Sequence, residues 1–162
     1  MNNSKEFEQI YTTYWPKVFR LSMGYLNNSD AAQDMTQETF IKVWQQLGNF
    51  RNEASLGTWI FRIASNHCLR QLEKDQRMPQ SDLTPIFNPQ NSSTINLDGQ
   101  MEFLYRCISQ LPEMERIIIS LELEDIQQAD IADIVGISKG NVRVKIHRIK
   151  EKLKEKFKHY ER

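Results

Sequence analysis

Between residues 75 and 99 the chain reads DQRMPQSDLTPIFNPQNSSTINLDG, and this stretch limits the possible folds more than any other. It holds three of the five prolines, Pro79, Pro85 and Pro89. Proline has a fixed φ and no N–H, so neither a helix nor a central strand runs through such a segment. Ser, Asn and Gln fill much of the rest, and no helical or alternating period survives in it. It therefore reads as an extended, flexible linker. The chain divides around it into a unit at 1–74, a linker at 75–98 and a unit at 99–162.

Both flanking units carry the apolar period of helices, with no alternating strands and no fixed repeat. The expectation is an all-α fold of two small helical domains. In the first, helices are expected at 5–26, 30–47 and 55–74, with Asp30 and Ser55 as N-caps and Gly48 as a stop. This unit holds 11 of the 16 aromatic residues, including all three tryptophans, and should own the larger core. In the second, helices are expected at 99–110, 112–123, 127–135 and 138–158, with Pro112 near a helix start. Units of this size are marginal alone, so each is expected to dock on a partner.

The formal charge is zero, with 21 basic and 21 acidic residues, but it is unevenly spread. Residues 101–137 carry 2 basic and 8 acidic side chains, whereas residues 138–162 carry 10 basic and 3 acidic. A basic block of this kind suits a polyanion site on the last helix. No apolar run approaches the roughly 18 residues of a membrane span, and MNNSKEFEQIYTTYW has no apolar signal core. Cys68 and Cys107 are too few for a disulfide scaffold. A cytoplasmic location is expected.

Residues 127–149, QQADIADIVGISKGNVRVKIHRI, have the form of a helix-turn-helix. Ile131, Ala132 and Val135 mark one face of a short helix. Gly136 supplies a positive φ for the turn, Ile137 plugs the angle, and Ser138 caps the second helix. Val142, Ile146, Ile149 and Leu153 form its apolar stripe. Ser138, Lys139, Asn141, Arg143, Lys145 and Arg148 are the candidate DNA-binding residues. Arginine and lysine reach phosphates or guanine edges, and an asparagine amide matches adenine. Lysines from Lys150 to Lys158 alternate with Glu151 and Glu155 and are expected to supply field rather than base reading.

Two further surfaces lie in the first unit. On residues 30–47, Asp34, Gln37, Glu38, Ile41 and Gln45 share one helix face, opposite Ala32, Thr36, Phe40, Val43 and Leu47. The first set is either a solvent face with one tolerated isoleucine or a docking surface with an apolar anchor. In residues 49–71, Trp59, Ile63 and Ala64 look like core. Arg62, Asn66 and Arg70 form a polar row beside the loop Phe50, Arg51, Asn52, Glu53. A polar pocket beside aromatic rings suits an unstacked base, although a wetted helix face gives the same pattern.

Taken in order, DAAQDMTQETFIKVW at 30–44, FRNEASLGTWIFRIASNHCL at 50–69 and ISQLPEMERIIISL at 108–121, followed by the helix-turn-helix, resemble a bacterial RNA polymerase sigma factor of the extracytoplasmic-function group. The resemblance spans nearly the whole chain. It implies a transcription initiation factor, not an enzyme, acting without cofactor, metal or small-molecule substrate. Asp34, Gln37 and Glu38, with Phe40 or Ile41 as apolar help, would bind the clamp helices of the polymerase's largest subunit. Arg51, Asn52, Glu53, Arg62 and Asn66 would open the minus-ten promoter element and capture a flipped base. Asn141, Arg143, Lys145 and Arg148 would read the minus-thirty-five element. The linker would run through the polymerase, the second domain would meet its flap, and an anti-sigma factor, often membrane-bound, would hold the free monomer. Asn141, Val144 and Gly57 depart from the residues usual in the group, which are Thr, Ser and a longer side chain.

A one-component helix-turn-helix regulator is the rival, with 1–74 as a ligand or dimerisation module and a palindromic site. Against an enzyme stands the absence of HExxH, CxxC and phosphate-loop patterns. His67 and Cys68 are adjacent on a helix, so their side chains diverge by about 100°, and both are expected to be structural.

Overall fold

A computed structural model describes residues 3–77 and 99–160, with side chains from Ser4 to Gln71 and from Gly99 to Tyr160. The described residues form seven α-helices and no strand: α1 Asn3–Leu26, α2 Ser29–Gln46, α3 Leu56–Arg77, α4 Gly99–Ser109, α5 Glu113–Leu123, α6 Gln128–Val135 and α7 Lys139–Tyr160. All seven expected helices are present. The third extends three residues into the expected linker, and the remainder of that linker, 78–98, lies outside the described residues.

The turn between α1 and α2 depends on asparagines. Asn27 adopts φ of 49°, in the left-handed region that Asn tolerates. The Asn28 side chain then accepts a hydrogen bond from the Ala31 N–H and caps α2. The cap is thus Asn28, not Asp30. Asp30 sits inside the first turn, where its charge favours the positive end of the helix dipole. Gly48 falls within a 3-10 turn, Leu47–Asn49, that ends α2. Ser55 does cap α3: its hydroxyl oxygen accepts from the Thr58 N–H at 3.2 Å.

α1, α2 and α3 pack around Val18, Leu21, Phe40, Val43, Ile60, Phe61 and Ala64, all buried. α5 is the central helix of the second unit, packed against α4, α6 and α7 and also against α1. Its three consecutive isoleucines, Ile117, Ile118 and Ile119, are all buried. At 100° per residue they cover some 200° of the helix, which only two-sided packing can bury.

The two units therefore share one apolar interior, with α1 against α4 and α5, and α3 against α6. Gly24 permits the closest approach, because a Cβ there would stand 2.2 Å from the Ser120 hydroxyl oxygen. Beside it Arg20 donates through Nε and Nη2 to the Glu124 carboxylate at 2.6 and 2.9 Å, a two-pronged pair. Glu124 in turn raises the Arg20 pKa, chiefly through that hydrogen bond. Arg116 donates to the Tyr25 carbonyl at 3.0 Å and lies 5.1 Å from the centre of the Tyr25 ring. The partner expected for each small unit is, within this chain, the other unit.

Candidate functional site

Three surfaces emerge, each placed by its helix. On α2, Asp34, Gln37, Glu38 and Gln45 are exposed together, around an Ile41 that is 57% exposed. Ala32, Thr36, Phe40 and Val43 face inward as the period required. Phe40 is only 2% exposed, and its ring packs 5.1 Å from that of Tyr11, so it contributes to this face from beneath. The exposed apolar part of this face comes from Ile41 and from two residues not foreseen, Trp44 and Tyr11, which are 48% and 40% exposed. With Phe7, Phe40, Gln37 and Gln45 they line an open groove of roughly 600 Å³ between α1 and α2. Trp44 belongs to neither of the two faces that the helical period separated. Its position one residue beyond the buried Val43 turns it outward, against the edge of Phe7 at 5.0 Å.

The second surface lies at the start of α3. Asn49, Phe50, Arg51, Glu53, Ala54, Trp59 and Arg62 enclose a pocket of about 160 Å³. Phe50 and Trp59 lie 4.8 Å apart and form its aromatic side. Trp59, expected in the core, is only half-buried for this reason. The pocket falls below the roughly 300–1,000 Å³ usual for drug-sized ligands, and combines a ring surface with two guanidiniums and a carboxylate. Of the predicted residues, Arg51, Glu53 and Arg62 converge here. Asn52 does not line the pocket but bends the loop, with φ of 59°. Asn66 is exposed one turn further along α3, outside the lining. Gly57 has a local cause: a Cβ there would meet the Tyr14 ring at 3.2 Å.

The third surface is the helix-turn-helix. Gly136 takes φ of 78°, and its N–H donates to the Ala132 carbonyl at 2.8 Å. The Ile137 N–H reaches the same carbonyl at 3.2 Å and closes the turn. Ser138 accepts from the Asn141 N–H at 3.2 Å, capping α7. Ile131, Ala132 and Ile134 are buried, whereas Val135 is half-buried, so the core face of α6 includes Ile134. Val142, Ile146, Ile149 and Leu153 are buried as expected. Ser138, Lys139, Asn141, Arg143 and Arg148 are exposed and Lys145 half-buried.

The cations of α7 fall into two sets. Among the described residues, Lys139, Arg143, Lys145 and Arg148 form no ion pair, whereas Lys150 pairs with Glu122 at 3.2 Å and Lys152 with Glu115 at 3.7 Å. Lys154 and Lys158 pair with Glu151 and Glu155. Lys156 donates to the Gln110 amide oxygen at 2.6 Å. Glutamates of α5 and of α7 itself thus offset four of the five lysines in the far half of α7, and positive field is left at the turn where the helix begins.

Outside these surfaces, burial is the first cause of the shifts at two thiols and one imidazole. Cys68 is fully buried, and burial pushes its thiol up to about 12. Burial raises the Cys107 pKa as well. Neither thiol is poised as a nucleophile. Burial first, then Lys42, lowers the His67 pKa. No group of three metal-ligating side chains occurs, and no helix is long and apolar enough to cross a membrane, among the described residues.

Comparison with known proteins matches residues 10–78 to the model of Sigma-70 region 2 and residues 102–153 to that of Sigma-70, region 4. The chain is 30% identical to the RNA polymerase sigma-H factor of Pseudomonas aeruginosa, over 92% of this chain and 84% of that one. It is 32% identical to the ECF RNA polymerase sigma-E factor of Escherichia coli K12, over 95% and 87%. Its fold resembles that of the sigma factor RpoE solved with the anti-sigma factor NepR from Bartonella quintana. That likeness has a TM-score of 0.76 at 21% identity and covers 95% of this chain and 98% of the other. CnrH, solved with the cytosolic domain of CnrY, gives a TM-score of 0.70 at 18% identity over 96% and 89%.

Proposed function

This chain belongs to the sigma-70 family, as an extracytoplasmic-function sigma factor that directs RNA polymerase to promoters, and from that premise we propose how its three surfaces divide the work. The α2 face docks on the clamp helices of the polymerase's largest subunit. Ile41 is the desolvated anchor, and Asp34, Gln37, Glu38 and Gln45 form the polar ring around it. The groove edged by Tyr11 and Trp44 extends that contact. The match to region 2 covers the segment that a one-component regulator would need as its ligand module.

The pocket at the start of α3 holds a base flipped from the minus-ten element. Phe50 and Trp59 offer a ring surface for stacking, while Arg51, Glu53 and Arg62 supply donors and acceptors for the base edge and backbone. Unstacking costs a few kcal/mol per base, and a preformed pocket of this size offsets it only for the open strand. Asn66 continues the track along α3 and Asn52 sets the loop.

The start of α7 enters the major groove of the minus-thirty-five element. Its capped N-terminus and the exposed Lys139 favour phosphate, and Asn141, Arg143, Lys145 and Arg148 face the bases and backbone. The observation that carries this division is the set of cations at the start of α7 without ion-pair partners among the described residues, on a helix where four of the five later lysines pair with glutamates and Lys156 donates to the Gln110 amide oxygen. A neutral chain is a weak free DNA binder, because affinity scales with the phosphates neutralised. The factor therefore acts on DNA when held by polymerase, as a monomer in the cytoplasm, where an anti-sigma factor controls its release.

The test is permanganate footprinting of unpaired thymines on fragments of the chain's own genome, with purified chain and bacterial core polymerase. Footprints should need both components and disappear with Glu38→Arg. Duplex binding by the isolated chain at nanomolar Kd in physiological salt, indifferent to core polymerase, would overturn the reading.

A further inference from the structure

α7 carries an exposed valine where a reader of DNA has most to gain from it. Its buried stripe is Val142, Ile146, Ile149 and Leu153. At 100° per residue, Val144 lies roughly 170° round the helix from the middle of that stripe. It is the sixth residue of α7, within the first two turns, and is 46% exposed. Asn141 and Arg148 flank it on the outward face, and Arg143 and Lys145 stand at the borders. Four of the cations about it, Lys139, Arg143, Lys145 and Arg148, have no ion-pair partner among the described residues, so the surroundings attract a polyanion.

Gly140 lies one turn before Val144. A Cβ there would meet nothing within 4 Å, so no packing inside the protein calls for a glycine at this position. Glycine weakens a helix, and its one structural effect here is to leave the outward surface low. Gly140 and Val144 together make a shallow apolar step between polar groups. In the major groove the apolar feature of matching size is the C5 methyl of thymine.

We infer that Val144 reads a thymine methyl group in the minus-thirty-five element, with Gly140 leaving room for the groove edge to approach. The inference rests on the promoter-reading role given above to α7. It assigns a specificity contact to this chain's own residue, apolar where the group usually has a hydroxyl.

Holoenzyme assembled from full-length chain and bacterial core polymerase is first used to select promoters from fragments randomised across the minus-thirty-five window. Each selected thymine is then replaced by deoxyuridine, which lacks only the methyl. At one position the open-complex yield at sub-saturating holoenzyme should fall about fourfold, the worth of one buried methyl group. With Val144→Ser or Val144→Ala that position should become indifferent to uracil, while sensitivity to Arg143→Ala persists. The contact is overturned if promoters are selected but no thymine is uracil-sensitive, or if the sensitivity is unchanged in both variants. A chain that forms no open complex on any fragment defeats the sigma reading itself, and the methyl contact with it.

Discussion

The outward faces of α2 and α7 are built alike and charged oppositely. On α2, Ile41 stands exposed within Asp34, Gln37, Glu38 and Gln45; on α7, Val144 stands exposed within Asn141, Arg143, Lys145 and Arg148. A lone apolar residue on a surface needs no explanation. Two of them, each centred opposite a buried stripe and ringed by the polar groups just named, whose charged members share one sign, do. On the division of work proposed above, the sign of the charged groups separates the partners: the acceptors on α2 would meet a basic protein surface, and the cations on α7 would meet phosphate. The difference extends below the surface. The α2 face adjoins an open aromatic groove, whereas the face on α7 around Gly140 and Val144 is shallow.

The acidic side gives the largest expected effect. Glu38→Arg reverses the ring and should lower affinity for core polymerase at least a hundredfold, measured by co-elution or anisotropy of labelled chain. Ile41→Ala should cost about thirtyfold, as befits a central anchor worth about 2 kcal/mol. Both sites are exposed, so thermal unfolding should shift by only a few degrees. If Ile41→Ala were as harmless as Gln45→Ala, the likeness between the two faces would fail on α2.

On α7 the helix supplies its own control. Arg143→Ala should reduce use of the preferred promoter about tenfold, since a good bidentate base contact is worth roughly 1–3 kcal/mol. Lys152→Ala, which loses the pair with Glu115, should change promoter use by less than about twofold and stability by less than about 1 kcal/mol. Equal effects at the two sites would dissolve the division of α7 into reading and bracing halves.

Much of this was legible in the sequence because helical period and turn chemistry are local. Gly136 and Ser138 announced the turn and cap, and Ile41 stood out against its polar neighbours. Where several residues could do one job, locality failed: Asn28, Ser29 and Asp30 are all good caps, and the choice of Asn28 follows from the left-handed Asn27 before it. Phe40 and Trp44 are both aromatic on one helix, and only the packing of α1 shows that Phe40 is the floor of the groove and Trp44 its edge. The contact between the two units was present as a signal, since three adjacent isoleucines cannot share one face.

That contact bears on whether the two faces are independent. Gly24→Leu places a side chain where even a Cβ would lie 2.2 Å from the Ser120 hydroxyl oxygen, so the units must separate or distort. Overpacking of this kind costs about 1–3 kcal/mol. The radius of gyration should rise by several ångströms above the roughly 15 Å of a compact chain of this length. Neither face touches Gly24, so open-complex yield at saturating factor should remain within about threefold of wild type. A larger loss would mean that the faces work only on the docked pair.

The smallest effect concerns proton binding beneath the acidic face. Burial first, then Lys42 and Arg70, lowers the His67 pKa from 6.5, while Glu38 opposes them. The folded state therefore binds fewer protons than the unfolded one. His67 has no effect on stability well above pH 6.5, and stability falls as pH drops through 6.5 towards the lowered folded value. The midpoint of thermal unfolding should decline over that window in wild type and less steeply in His67→Gln. Glu38→Arg removes the one charge that favours protonated His67 and adds another that opposes it, so the decline should steepen. No such coupling is expected for Arg143→Ala, whose curve should parallel wild type. A parallel curve for Glu38→Arg would show that the acidic ring is felt only by solvent and partner, with no reach into the packing beneath α2.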